Sequence, residues 1–270
     1  GHGETRLYRR NAGLELGVPR FKLTIEYAGT RYRGWQIQKN AKTIQGELAR
    51  AARAATGRTD FELYGAGRTD AGVHALAQVA HLDVGTTLAG DALRRRLNDA
   101  LAADINVLAA DRVPHRFHAR HGAVARRYLY QIARRRTAFA KPYVWWVKDP
   151  LDAGRMRDAA RDLVGLRDFA RFAERDADAD EDPERSTLVR VDRFEIVEDG
   201  ALLLVMIEGS HFLWKMVRRL VGALVEAGRG QPIPDDPAPF TAPPSGLFLE
   251  RVFYAGATRD LPIRAATPCR

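Results

Sequence analysis

"GAGRTDAGVHA", residues 65–75, sets Gly65, Gly67 and Gly72 around one arginine, one aspartate and one histidine, and how it is read decides the fold. Its opening, GAGRTD, starts like a dinucleotide fingerprint, which would announce a doubly wound parallel sheet. Asp70, however, stands at the third glycine position, where a negative side chain would face the pyrophosphate. The overlapping GRTDAGVH has the glycine spacing of a phosphate-binding loop, but Val73 and His74 occupy the places that require Lys and Ser or Thr. Both nucleotide-binding readings fail. What remains is a lone carboxylate beside Arg68 and Thr69, on glycines that permit close approach or positive φ. A tight turn carrying a surface Asp is the plain structural alternative.

Outward from the motif, the texture is α+β. Before it, FKLTIEY (residues 21–27) alternates apolar and polar side chains as a half-buried strand does. Thr43 then caps IQGELARAARAATG, where Ile44, Leu48 and Ala52 recur every four residues until Gly57 stops the helix. After it, HALAQVAHLDV (74–84) reads as a strand and AGDALRRRLNDALA (89–102) as a second helix. The second half repeats the idea. RRYLYQIAR (126–134) predicts a strand, LDAGRMRDAARDLVGL (151–166) a helix, and STLVRVDRFEIVEDGALLLVMIEG (186–209) a hairpin turning at Asp199-Gly200. FLWKMVRRLVGALVEAG (212–228) puts Leu213, Met216, Val217, Leu220, Val221 and Leu224 on one helical stripe, and SGLFLERVFYA (245–255) closes as a strand. Strands and helices that never settle into a strict βαβ rhythm predict two α+β modules, over residues 21–119 and 120–260. Residues 1–20 read as a mobile basic arm and 261–270 as a tail.

The chain has 270 residues and a net charge of +9. ERDADADEDPE (174–184) alone carries −6, so the remainder carries +15 and favours a polyanionic partner. That acidic stretch reads as a solvated loop. No apolar run approaches the roughly 18 residues of a membrane span. The single cysteine, Cys269, supports no internal disulfide, Cys-based zinc site or Cys–His pair, and makes a reducing cytoplasm the expected setting. Asp70 has no acidic neighbour before Asp83, against a metal nuclease or a paired-carboxylate glycosidase. His115, His118 and His121 recur every three residues but lack the nearby carboxylate or cysteine a zinc site wants. His74 and His81 are read as packing or phosphate-contact residues.

Five ordered blocks then carry a resemblance: YAGTRYRGWQIQ (27–38), GAGRTDAGVHA (65–75), FHARHGAVARRYLY (117–130), GSHFLWKMVRRLVGAL (209–224) and APPSGLFL (242–249). Together they resemble the TruA family of tRNA pseudouridine synthases. The resemblance implies the pseudouridine synthase fold, two ferredoxin-like α+β modules sharing an extended antiparallel sheet, and a homodimer with an RNA cleft across both subunits. It makes Asp70 the catalytic aspartate and Arg68 the arginine that helps displace the target base. Tyr128 becomes the tyrosine stacked on that base, Arg218 the partner of the aspartate, and Leu247 an apolar pocket residue. The implied reaction is isomerisation of uridine in the tRNA anticodon arm, at positions 38 to 40, with no cofactor or metal. One departure stands out: GRGQPIPDDPAPFT (228–241) is short and proline-rich where the family has a longer stretch.

The chemistry is compatible with these residues. An ionised carboxylate in a pocket that excludes water needs a cation beside it, and Arg218 borders the apolar stripe of its helix near Gly222, where it can be half buried. A stacking aromatic contributes about 1–3 kcal/mol per base, and an inserted arginine helps hold a flipped base out of its stack. Arg120, Arg126 and Arg127 are the expected phosphate contacts. A non-catalytic RNA binder and a metal-dependent nuclease are the competing classes. Binding that survives loss of the Asp70 carboxylate would mark the first, and chelator-sensitive strand cleavage the second.

Overall fold

The alternation of FKLTIEY becomes β1 (Arg20–Tyr27), whose Phe21, Leu23, Ile25 and Tyr27 are buried while the residues between them are half-buried. The computed structural model describes residues 17–174 and 186–269. Nearly all of the expected basic arm and acidic stretch thus lies outside the described residues. α1 (Ile44–Thr56) starts where the Thr43 hydroxyl accepts from the Gly46 amide at 3.2 Å and ends at Gly57, whose φ of 69° forms a left-handed cap. β2 (Phe61–Gly65), β3 (His74–Val84), α2 (Gly90–Ala100) and β4 (Ile105–Val113) complete the first half. The second half runs through β5 (Ala123–Ala133), β6 (Trp145–Trp146), α3 (Ala153–Arg161), β7 (Gly165–Asp168), β8 (Leu188–Asp199), β9 (Leu202–Gly209), α4 (Met216–Gly228) and β10 (Leu247–Tyr254).

Two expected helices are shorter than their patterns. α3 stops at Arg161, and Gly165, at φ 107°, already opens β7. α4 begins only at Met216, because Lys215 adopts φ 58° and breaks the helical path. Phe212, Leu213 and Trp214 therefore precede the helix. Of the expected stripe, Met216, Val217, Leu220, Val221 and Leu224 are buried in the helix, each such side chain contributing about 1.5–3 kcal/mol, whereas Leu213 lies before it and is half-buried.

One sheet of ten strands holds the molecule together, in the order β4-β1-β3-β10-β5-β9-β8-β7, with β2 on β3 and β6 on β5. Its two halves read β4-β1-β3-β2 and β10-β5-β9-β8, so each is a β-α-β-β-α-β path with the ferredoxin-like strand order. The α1 and α2 pair and the α3 and α4 pair enclose separate apolar clusters, and Tyr128 borders both. Leu129, on the other face of β5, joins a third cluster with Leu204 and Phe248.

The expected antiparallel sheet has two parallel pairings, the short β5–β6 pair and one at its centre. β3 pairs with β2 along Ala80–Val84, but its first residues, His74 and Ala75, pair in parallel with Phe248 and Leu249 of β10. No hairpin links β3 to β10, so connectivity imposes no antiparallel pairing. The residues between Gly65 and His74 therefore sit where β3 exchanges one neighbour for another, at the meeting of the two halves.

Candidate active site

The loop from β2 to β3 is moulded by the segment after β1. Trp35 donates its amide to the Thr69 carbonyl at 3.0 Å, and Gly72 donates to the Tyr32 carbonyl at 3.3 Å. The Tyr27 and Thr69 hydroxyls share a buried hydrogen bond of 2.8 Å, and Gln78 Nε2 donates to the Gly67 carbonyl at 3.0 Å. The glycines have different tasks. A Cβ on Gly65 would lie 2.6 Å from the Trp35 ring, and Gly72 holds φ 80° with Pro244 2.9 Å from where its Cβ would be. A Cβ on Gly67 would meet nothing, so that glycine faces open space.

So braced, Asp70 meets Arg218, 148 residues away in sequence, with Nη1 donating to Oδ2 at 3.1 Å. Both side chains are mostly buried, 21% and 14% exposed, in keeping with a charge pair shielded from bulk water. Arg218 lies in the first turn of α4 and also donates Nε to the Ala242 carbonyl at 2.7 Å, while the Ala242 amide donates back to the Arg218 carbonyl. The short proline-rich segment 228–241 thus returns the chain to α4 and delivers the carbonyl that aims Arg218. Beside it, Lys215 and Arg219 both bind Glu174, which fixes the start of the helix.

Tyr128 lies half-buried on β5, with Phe212 meeting its ring edge-on at 5.3 Å and 89°. Burial pushes its hydroxyl up to about 12, so it stays neutral near pH 7. Leu247, buried at the start of β10, pairs in register with Tyr130, whose hydroxyl donates to the Pro243 carbonyl. Arg68 is exposed two residues before Asp70, and Arg120 is half-exposed in the turn before β5. The structure thus brings Asp70 and Arg218 into contact, with Tyr128, Leu247 and Arg68 on the elements that meet around the same loop.

Three expected contacts are corrected. His74 is buried and stacks on Phe248; its Nδ1 accepts from the Gly29 amide, so Nε2 carries the proton and donates to the Pro142 carbonyl. It is a packing residue, and burial lowers its pKa. Arg127 is wholly buried on the far face of β5, bound to Glu208 and to the carbonyls of Leu261 and Arg259, so no phosphate reaches it. Arg126 directs both terminal nitrogens to four main-chain carbonyls, which leaves no terminal N–H for a phosphate. Arg219, one residue after Arg218, is buried against Ala173 and Glu174. Sequence reading missed Phe212 and Ala242 as site residues, because each matters only through the segment it brings into place.

Comparison with known proteins bears on the family of the chain. A family model described as tRNA pseudouridine synthase matches residues 23–121 and 159–255. The tRNA pseudouridine synthase A of Rhodopseudomonas palustris (strain BisA53) is 41% identical over 251 residues, covering 88% of this chain and all of the relative. That of Nitrobacter winogradskyi is 40% identical over 261 residues, covering 92% of this chain and 99% of its own, and that of Geobacter sulfurreducens is 41% identical over 246, covering 86% and 98%. Among the described residues no helix is long and apolar enough to cross a membrane. A matching family model over both halves of the sheet, with relatives aligned along nearly their whole length, means that this chain belongs to the TruA family of tRNA pseudouridine synthases and that its reaction is an isomerisation.

Proposed function

We propose that the chain isomerises uridine to pseudouridine in the anticodon arm of tRNA, at positions 38 to 40, with Asp70 as the catalytic carboxylate. The observation that supports the catalytic role is the shielded 3.1 Å pair of Asp70 and Arg218 on a loop braced by hydrogen bonds with Tyr27, Tyr32, Trp35 and Gln78. The C1′–N1 bond breaks, the base turns, and C1′ joins C5; C5 gives its proton to water and N1 ends protonated. Nothing is oxidised or reduced. An ionised carboxylate serves this either by adding to the substrate or by taking a sugar proton next to C1′. Arg218 aims Asp70 and sets a positive charge beside it in both routes. Tyr128 stacks on the target base, Leu247 lines the pocket, and Arg68 supports the flipped nucleotide. Arg120 remains as a phosphate contact.

The working form is a homodimer in the cytoplasm, with one RNA lying across both subunits. A monomeric mass in solution at working concentration would remove the dimer from this reading. The reaction itself is tested with unmodified tRNA carrying tritium at uridine C5. Release into water by the parent protein, and none by Asp70→Asn, is the expected result. Undiminished release by the variant would take the catalytic role away from Asp70.

A further inference from the structure

Arg126 is the least expected residue of the site. It precedes Tyr128 by two positions, so strand geometry puts both on the face where the two helix pairs meet. Nη1 donates to the carbonyls of Ser210, at 2.8 Å, and Ala123, at 3.3 Å. Nη2 donates to those of Ala66, at 3.1 Å, and Arg120, at 3.0 Å. Among the described residues it forms no ion pair.

The four acceptors belong to three segments that do not otherwise share a strand. Ala66 opens the loop that carries Asp70. Ser210 follows β9 and leads through Phe212, which packs on Tyr128, into the helix of Arg218. Arg120 lies in the turn before β5, with its side chain half-exposed, and Ala123 is the first residue of β5. A planar fork with two N–H groups on each terminal nitrogen fits such a set, whereas a lysine ammonium offers three donors from one point.

From this we infer that Arg126 is a positioning residue for the isomerisation: its guanidinium locks the Asp70 loop to the Phe212 segment and to the Arg120 turn. It sets the distance between Asp70 and the base stacked on Tyr128 without touching RNA itself. Displacing reacting groups by about 1 Å can cost on the order of a hundredfold in rate, so loss of the lock falls on the chemical step. The inference rests on the functional reading above, and its test separates the two.

Single-turnover release of C5 tritium and RNA affinity are measured for the parent, Arg126→Lys and Arg126→Gln. Arg126→Lys keeps the charge but not the fork. It is expected to bind within about twofold of the parent and to react at saturation at least roughly tenfold more slowly. Arg126→Gln, without the charge, is expected to keep the parental slope of log affinity against log salt. A slope lower by about one, with a parental saturated rate, would make Arg126 a phosphate contact and overturn the inference. Parental rate and affinity in Arg126→Lys would overturn it as well. If one variant does not fold, the other decides; if neither folds, Arg126 is required by the fold and the inference fails. No release by the parent would instead defeat the functional reading on which it stands.

Discussion

Gly222 of α4 lies so close to Phe240 that a Cβ there would fall 1.7 Å from the Phe240 carbonyl oxygen. Two residues later Ala242 accepts from Arg218 Nε at 2.7 Å, so the bare Cα of Gly222 allows the contact that aims Arg218 at Asp70. Gly222→Ala is therefore expected to push the 240–242 segment off the helix. Overpacking of this kind costs about 1–3 kcal/mol, to be read as a lower urea midpoint. Activity is expected to fall roughly tenfold or more with RNA affinity retained. A variant as stable and as active as the parent would show that this approach is not needed.

Tyr128 is expected to separate stacking from its hydroxyl. Tyr128→Phe keeps the ring against Phe212 and is expected to bind tRNA as the parent does. Tyr128→Leu loses the aromatic face, and affinity for RNA with a flipped base should weaken by about 1–3 kcal/mol. Equal binding by the two variants would remove Tyr128 from the stacking role.

The neighbouring arginines should separate RNA binding from stability. Arg120→Ala is expected to lower the slope of log affinity against log salt by about one while leaving the fold intact. Arg127→Leu leaves Glu208 buried with Arg259 as its remaining partner, and is expected to destabilise by about 3 kcal/mol with an unchanged salt slope. Denaturant titration and filter binding at three salt concentrations check both. A reduced salt slope in the Arg127 variant would reverse the assignment.

Acid should weaken the fold before most carboxylates titrate. His81 is buried, its Nδ1 accepts from the Ala119 amide, and burial, with the Arg20 charge next in weight, lowers its pKa to about 4. The unfolded chain holds a proton on this ring below about 6.5 while the folded chain does not. The stabilisation is thus present above about pH 6.5 and is lost as the pH falls towards 4, amounting to about 2 kcal/mol by pH 5. His118, also lowered, adds in the same direction. Urea midpoints from pH 7.5 to 5 should fall. His81→Asn, which offers an acceptor but does not titrate there, should flatten the curve; a flat parental curve would contradict the account.

Local patterns were legible wherever one element decided them. The alternation of Phe21, Leu23, Ile25 and Tyr27 and the Thr43 cap and Gly57 stop of α1 stand as read; the 186–209 hairpin forms too, but Asp199 pairs with Leu202, so its turn is Gly200-Ala201, one residue later than expected. Asp70 and Arg218 were paired by resemblance, and no periodicity could have joined residues 148 apart. The β3–β10 seam was invisible because two residue pairs carry no pattern of their own. Composition alone groups Arg126 and Arg127 as phosphate contacts, although neighbours in a strand point to opposite faces. That alternation was the available signal, but which face met RNA depended on where the C-terminal tail lies.

The two-pair seam also orders events in time. β10 begins at Leu247 and is the strand that touches both β3 and β5, yet it follows every other strand among the described residues. As a nascent chain emerges from the ribosome, the first half can fold around its own helices with the Asp70 loop in place. The two halves of the sheet join only when β10 slots between β3 and β5. The join between the two halves therefore waits for β10, the last of the described strands to be made.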